Sequence, residues 1–255
     1  MGTTDKQLID LRKEILTVSY QTKAGHIPSA FSILEIIYST YEHVLQEEDR
    51  FLLSKGHGCL ALYSVFYHKK YITKEQFYSF SKYDSVLGGH PDRNKLEQIE
   101  ISAGSLGHGL PIATGMCLAN KIQNKNGRVF CLLGDGECNE GTTWESLILS
   151  DKLKLDNLTC IIDNNNSQIR SVPTNNILNK FKSFGFETYE CDGHNIEELK
   201  RCLLIRSSNP IAIVCSTIKG YGISEMENDM FTWHHGPPND SQYKSFMCEL
   251  ESKTK

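Results

Sequence analysis

The chain lacks an apolar run approaching the ~20 residues of a membrane-spanning helix. Its 255 residues carry 27 Lys and Arg against 31 Asp and Glu, a net charge of -4. That balance gives no basic face of the kind nucleic-acid binding uses. The opening residues run straight into a helical pattern and show no apolar signal-peptide core, so a cytoplasmic protein without membrane attachment is expected. Nine cysteines are present but none form a Cys-x-x-Cys pair. Most sit inside apolar runs, which reads as buried thiols in a reducing compartment rather than a zinc site or disulfide framework. There is no internal repeat, no low-complexity stretch and no linker, so residues 1–255 read as one α/β domain.

What is present centres on two strand ends. Arg128 and the apolar residues 129–133 run into Gly134-Asp135-Gly136, and residues 158–162 run into Asp163-Asn164-Asn165. Between them, residues 139–155 carry helical periodicity at Trp144, Leu147, Ile148 and Leu153. A crossover of that length makes the strands parallel, and ligands of such sheets sit at the carboxyl ends of the strands. A carboxylate and an amide oxygen there can share a hard divalent cation, completed by water and substrate phosphates. The helix after the first turn would aim its amides at an anion such as a diphosphate.

Further elements follow from periodicity and punctuation. Helices are expected over 5–21, 59–69, 74–81, 110–123, 175–182, 195–205 and 241–250, the sixth with Asp192 or His194 near its start. Another, carrying Leu34, Ile36, Ile37 and Tyr41, is capped by Ser29 or Ser32, with 23–29 as a loop. Strands are expected over 50–53, 186–190 and 210–216, the last apolar enough to be buried on both faces. Residues 83–109 and 217–239 are irregular, and loops that long inside a compact domain are usually functional. The expected fold is a mostly parallel sheet with helices on both faces.

Histidines are the second signal. His26, His57, His90, His234 and His235 lie in loops beside glycine or proline, where an imidazole can bond a sugar hydroxyl or relay a proton, or simply be exposed. Their recurrence at element ends points to one shared cleft. His43, His68 and His108 read as surface or structural. Ser105-Leu106-Gly107 before a helix can present amides to a ring or diphosphate, or be a plain turn. Glu137 and Glu140 follow the first strand end; Glu140 suits either a buried network or the first turn of the helix. Lys219 after the last strand suits a phosphate or solvent.

Gly134-Asp135-Gly136-Glu137 through Glu140, followed by Asp163-Asn164-Asn165, resembles the thiamine diphosphate motif. Together with the loops holding His26, His57, His90, Ser105 to Gly107, Lys219 and His234-His235, in that order, the chain resembles the N-terminal half of transketolase. The resemblance implies thiamine diphosphate with Mg²⁺ (or Ca²⁺ or Mn²⁺) as cofactors. Asp135, Asn165 and the Ser167 carbonyl would hold the metal. His57, Gly134, Gly136, Glu137, Lys219, one of the tail histidines and the Ser105, Leu106 and Gly107 turn would contact the cofactor. His26, His90, His234 or His235 and Glu140 would serve catalysis, with His26, Ser29 and His90 around the sugar. Asn166, where a glycine is common, and Ser167, where an aliphatic residue is usual, are departures. The second domain, which binds the pyrimidine ring, is missing. The resemblance therefore implies an N-terminal subunit of a split transketolase, working in an α₂β₂ assembly with a separate C-terminal subunit. Alternatives are another thiamine diphosphate carboligase acting on an unusual sugar, or a non-catalytic cofactor-binding subunit.

Overall fold

In a computed structural model of the chain, which describes residues 2–253, eleven α-helices and five strands alternate. They run α1 (Thr3–Thr22), α2 (Ile27–Phe31), α3 (Leu34–Ser39), β1 (Arg50–Leu53), α4 (Cys59–His68), α5 (Lys74–Tyr78) and α6 (Gly109–Ile122). There follow β2 (Val129–Gly134), α7 (Gly141–Lys152), β3 (Leu158–Asn164), α8 (Ile177–Ser183), β4 (Glu187–Asp192), α9 (Ile196–Leu203), β5 (Ile211–Ser216), α10 (Ser224–Asn228) and α11 (Asp240–Ser252). Met1 and residues 254–255, the ends of the expected 1–255 domain, lie outside the described residues. The described chain falls into two compact units, one of residues 2–37, 57–102 and 218–253, the other of residues 38–56 and 103–217.

The second unit holds the whole sheet, five parallel strands in the order β1-β2-β3-β5-β4. Every residue of β2 is buried, as are all of β3 but its last, so both faces are covered. The chain steps from β2 to β3 and on to β4, then turns back to β5. Right-handed crossovers therefore put α7 and α8 on one face and α9 on the other. Consistent with this, α6 packs on α7 and β2, while α9 packs on β4 and the π-helical turn Thr40–Val44. The expected α/β fold with helices on both faces is what forms.

The first unit is helical. α1 buries Leu8, Leu11, Ile15, Leu16 and Val18 and packs against α4 and α11. Tyr20 stacks on Tyr243 with ring centres 4.2 Å apart. Arg12 is buried against Glu35 at 2.7 Å, and its guanidinium also bonds the Tyr221 carbonyl at 2.9 Å.

Some boundaries differ from expectation for local reasons. Pro28, read as part of a loop, sits in the first turn of α2, where its missing N–H costs nothing. Ser29 therefore lies inside α2 rather than ahead of the next helix, while Ser32 follows α2, two residues before α3 begins. Asn195 caps α9 by accepting from the Glu197 and Glu198 amides, with Asp192 and His194 just ahead of it as expected. The segment expected to be helical from 139 begins instead as a 3-10 turn over Gly136–Asn139, and α7 starts at Gly141. All nine cysteines are free thiols and eight are buried, as the apolar runs around them suggest.

Candidate functional site

The predicted site residues divide between the two units, and each group is coherent in itself. In the sheet unit they gather at the carboxyl ends of β2 and β3. Asp135 follows β2 and is buried. Its Oδ1 accepts from the Gly136 amide at 2.7 Å and from the Ser167 hydroxyl at 3.3 Å. Asn165 follows β3, and its Oδ1 accepts from the Ser167 amide at 3.0 Å. One residue, Ser167, thus ties together the carboxylate of the first loop and the amide of the second. Asn166 turns the backbone into the left-handed region at φ 58°. That conformation suits glycine and is tolerated by asparagine, which accounts for the departure noted at this position.

Asp135 Oδ2 is buried with no hydrogen-bond partner. Its carboxyl is raised above the ordinary range, first by loss of water and then by the neighbouring Asp163 carboxylate. A buried charge without a partner is costly, and a cation at Oδ2 would offset both effects. The donors are hard: a carboxylate, an amide oxygen and a loop carbonyl, the set that Mg²⁺, Ca²⁺ or Mn²⁺ accepts with water making up the rest. The residues fit such an ion. No cluster of three or more His, Cys, Asp or Glu side chains able to hold a metal occurs among the described residues.

Glu137 and Glu140 take different places. Glu140 is exposed at the N-cap of α7, whereas Glu137 is buried. The Glu137 carboxylate accepts from the Ser54 hydroxyl, the Gly107 amide at 2.9 Å and the Gly134 amide at 3.2 Å. Burial pushes its carboxyl up and these three bonds pull it back. The buried network considered for Glu140 is thus made by Glu137, three residues earlier. It ties the end of β1, the Ser105 to Gly107 turn and the end of β2. Gly107 has φ 81°, and a Cβ there would come within 2.5 Å of Glu140 Cβ. The Thr142 hydroxyl holds its carbonyl at 2.8 Å. Ser105 is exposed and Leu106 half-buried beside this pinned glycine.

Several contributors escape a reading of the sequence. Lys55 and Asp163 form a buried ion pair. Thr217 also donates to Asp163. Gln168 accepts from Asn139 at 3.1 Å and from Thr174 at 3.0 Å, pinning the segment after Asn165 to the 3-10 turn. Only Asp163 carried a signal, as a carboxylate ending an apolar strand.

In the helical unit the histidines meet. The His26 ring lies 5.5 Å from His57, 5.8 Å from His234 and 4.5 Å from His235, centre to centre. Lys219, buried, contacts His234 Nδ1 at 3.0 Å. His26 is held well below its ordinary range, at about 4, chiefly by burial and then by His235, His234, His90 and Lys219. It is therefore a neutral imidazole near pH 7, able to take a proton from a hydroxyl. His90 is exposed but close enough to act on His26 electrostatically. Ser29 presents a buried hydroxyl without a hydrogen-bond partner, free to meet a ligand.

Comparison with known proteins places this arrangement. The family model described as transketolase, thiamine diphosphate binding domain, matches residues 7–245. The chain is 32% identical to an apulose-4-phosphate transketolase subunit of Phocaeicola vulgatus, over 95% of this chain and 92% of that protein. It is 33% identical to human transketolase over 95% of its own length, but spans 41% of that protein. Among solved structures, transketolase from Campylobacter jejuni superposes with a TM-score of 0.88 at 26% identity, covering 98% of this chain and 43% of that one. The chain belongs to the transketolase thiamine diphosphate binding domain family.

Proposed function

We propose that the chain, acting as a single cofactor-binding domain, is the diphosphate-binding subunit of a cytoplasmic two-subunit transketolase. Its partner would be a C-terminal subunit carrying the pyrimidine-binding domain, in an α₂β₂ assembly. The observation that carries the reading is the buried, unpartnered Asp135 Oδ2 at the end of β2, tied through Ser167 to the Asn165 amide at the end of β3. Asp135, Asn165 and the Ser167 carbonyl would hold Mg²⁺ and, through it, the diphosphate of the cofactor.

Bound thiamine diphosphate supplies the stabilised carbanion chemistry needed to cut and remake a carbon–carbon bond beside a carbonyl. The chain's own residues do the rest. Gly136 and the Ser105 to Gly107 turn present backbone to the cofactor, and Glu137 keeps that turn in place. Lys219 and His57 add cofactor contacts. His26, neutral at working pH, accepts a proton from a sugar hydroxyl and returns it, with His90 and His234 or His235 orienting the other hydroxyls and Ser29 bonding the sugar. Glu140, exposed on the surface of this chain, would act in catalysis from the interface with the partner.

The likeness to two apulose-4-phosphate transketolase subunits, the second from Actinobacillus succinogenes at 32% identity, supports both the split architecture and a phosphorylated ketose as donor. The test is to mix the purified chain with its C-terminal partner and measure transfer of a two-carbon ketol unit from a panel of ketoses and ketose phosphates. The mixture should turn over and the chain alone should not. Robust turnover without a second polypeptide, or none in the presence of the partner with both cofactors supplied, would refute it.

A further inference from the structure

We infer that Asp163, held by Lys55, is a positioning residue that sets the orientation of the Asn165 amide and so presents its carbonyl oxygen to the cation. The inference rests on the cation reading above. Asp163 and Lys55 are both buried, at 0% and 1% exposure. The Asp163 carboxylate receives the Lys55 ammonium, the Thr217 hydroxyl and the Asn165 Nδ2 amide, the last at 2.8 Å.

The topology explains why a lysine can reach it. Lys55 follows β1 and Asp163 is the next-to-last residue of β3, with β2 between the two strands. The β2 residue in register with Asp163 is Gly134. Lys55 runs over that glycine, its methylenes 3.7 to 4.0 Å from where a Cβ would stand. A side chain larger than a methyl at position 134 would occupy the lysine's path.

The orientation of Asn165 then follows from hydrogen-bond chemistry. An ionised carboxylate only accepts, so the NH₂ group must face Asp163. A backbone amide only donates, so the oxygen must face Ser167, where the bond is 3.0 Å. A flipped amide would set oxygen against carboxylate and NH₂ against N–H. The Ser167 hydroxyl also bonds Asp135 Oδ1 at 3.3 Å, so the residue whose amide fixes the Asn165 oxygen is itself tied to the Asp135 carboxylate. A buried ion pair gives little net stability over well-packed apolar residues. What it adds here is a charged acceptor fixed two residues before the ligand and bonded to its NH₂ group.

The test titrates Mn²⁺ in the presence of thiamine diphosphate into the full chain, followed by calorimetry and Mn²⁺ spin resonance, alongside thermal melting of the metal-free protein. Lys55→Met with Asp163→Leu removes the charge and the acceptor. Lys55→Met with Asp163→Asn removes the charge but leaves an oxygen for Asn165 Nδ2. The first pair should weaken Mn²⁺ binding by about 10–100-fold, the scale for losing a partner behind a metal ligand. The second pair should recover most of that affinity, and both should melt near the wild type without metal. Equal affinity in all three proteins, or an equal loss in both variants, overturns the inference. Should the leucine variant not fold, Lys55→Met with Asp163→Ala replaces it under the same criteria. Asp135→Asn separates the two readings. If it binds Mn²⁺ like the wild type, the cation reading fails; if it loses binding while both pair variants keep it, that reading stands and the positioning role falls.

Discussion

Glu137→Gln should destabilise the protein out of proportion to its one-atom change. The carboxylate has three donors: Ser54 and Gly107 share Oε1, and Gly134 uses Oε2. Glutamine offers one oxygen and one NH₂ group. Its least costly orientation keeps the oxygen at the doubly bonded position and turns the NH₂ group toward the Gly134 amide. Two buried donors then face each other, and each unmade bond costs about 1–3 kcal/mol. Part of this is offset because glutamine carries no charge to desolvate, the effect that raises the Glu137 carboxyl. The net loss should be about 2–4 kcal/mol, or roughly 5–15 °C in melting temperature for a chain of this size. Circular dichroism melts of Glu137→Gln, Ser54→Ala and the double variant would measure it. The double variant should lose less than the two single losses combined, because both remove part of one bond network. Glu140→Gln, on an exposed residue, serves as the control and should stay within about 0.5 kcal/mol of the wild type. A Glu137→Gln melt indistinguishable from that control would show that the carboxylate does not hold the three segments together.

Other predictions follow from the same geometry. In the assembled enzyme, His26→Ala and His90→Ala should lower kcat by about 10²–10⁴-fold while changing thiamine diphosphate affinity little, because their proposed work is on the sugar's protons; an affinity loss matching the kcat loss would refute that division. Because His26 is held at about 4 in the folded chain against an ordinary 6.5, the unfolded chain binds more protons between those values. Stability should therefore fall as pH drops from about 6.5 toward 4, and His26→Asn should flatten that slope in denaturant titrations. Glu35→Gln should cost about 3–5 kcal/mol by leaving the Arg12 guanidinium buried beside a neutral amide; a melt within 1 kcal/mol of the wild type would contradict it.

Much of this was legible in residue order, for identifiable reasons. β2, β3 and β5 are apolar runs ending in polar clusters, and the crossover length between the first two forces them parallel. The strand order was not legible, because β5 inserts between β3 and β4 on the strength of pairing that no local pattern encodes. β4 was misplaced by a residue or two because, as an edge strand, most of its side chains are only half-buried and its periodicity is weak. Asp135 and Asn165 stood out because each directly follows a strand. Glu137 and Glu140 could not be told apart, since which one turns inward depends on whether residues 136–139 wind as a 3-10 turn or as the start of an α-helix. Lys55 was invisible for a different reason: a lysine in a glycine-rich loop looks solvated until the glycine it crosses, on another strand, is known. Asn166 looked like a departure only because its backbone conformation could not be read from the sequence.

The central claim is that the loops after β2 and β3 grip one divalent cation and through it a diphosphate. Calorimetry of thiamine diphosphate binding to the chain, with Mg²⁺ present and with Mg²⁺ chelated, compared with Asp135→Ala, tests it most directly. Binding that requires Mg²⁺ and vanishes in Asp135→Ala is the predicted result; affinity that ignores both the ion and the substitution would contradict it.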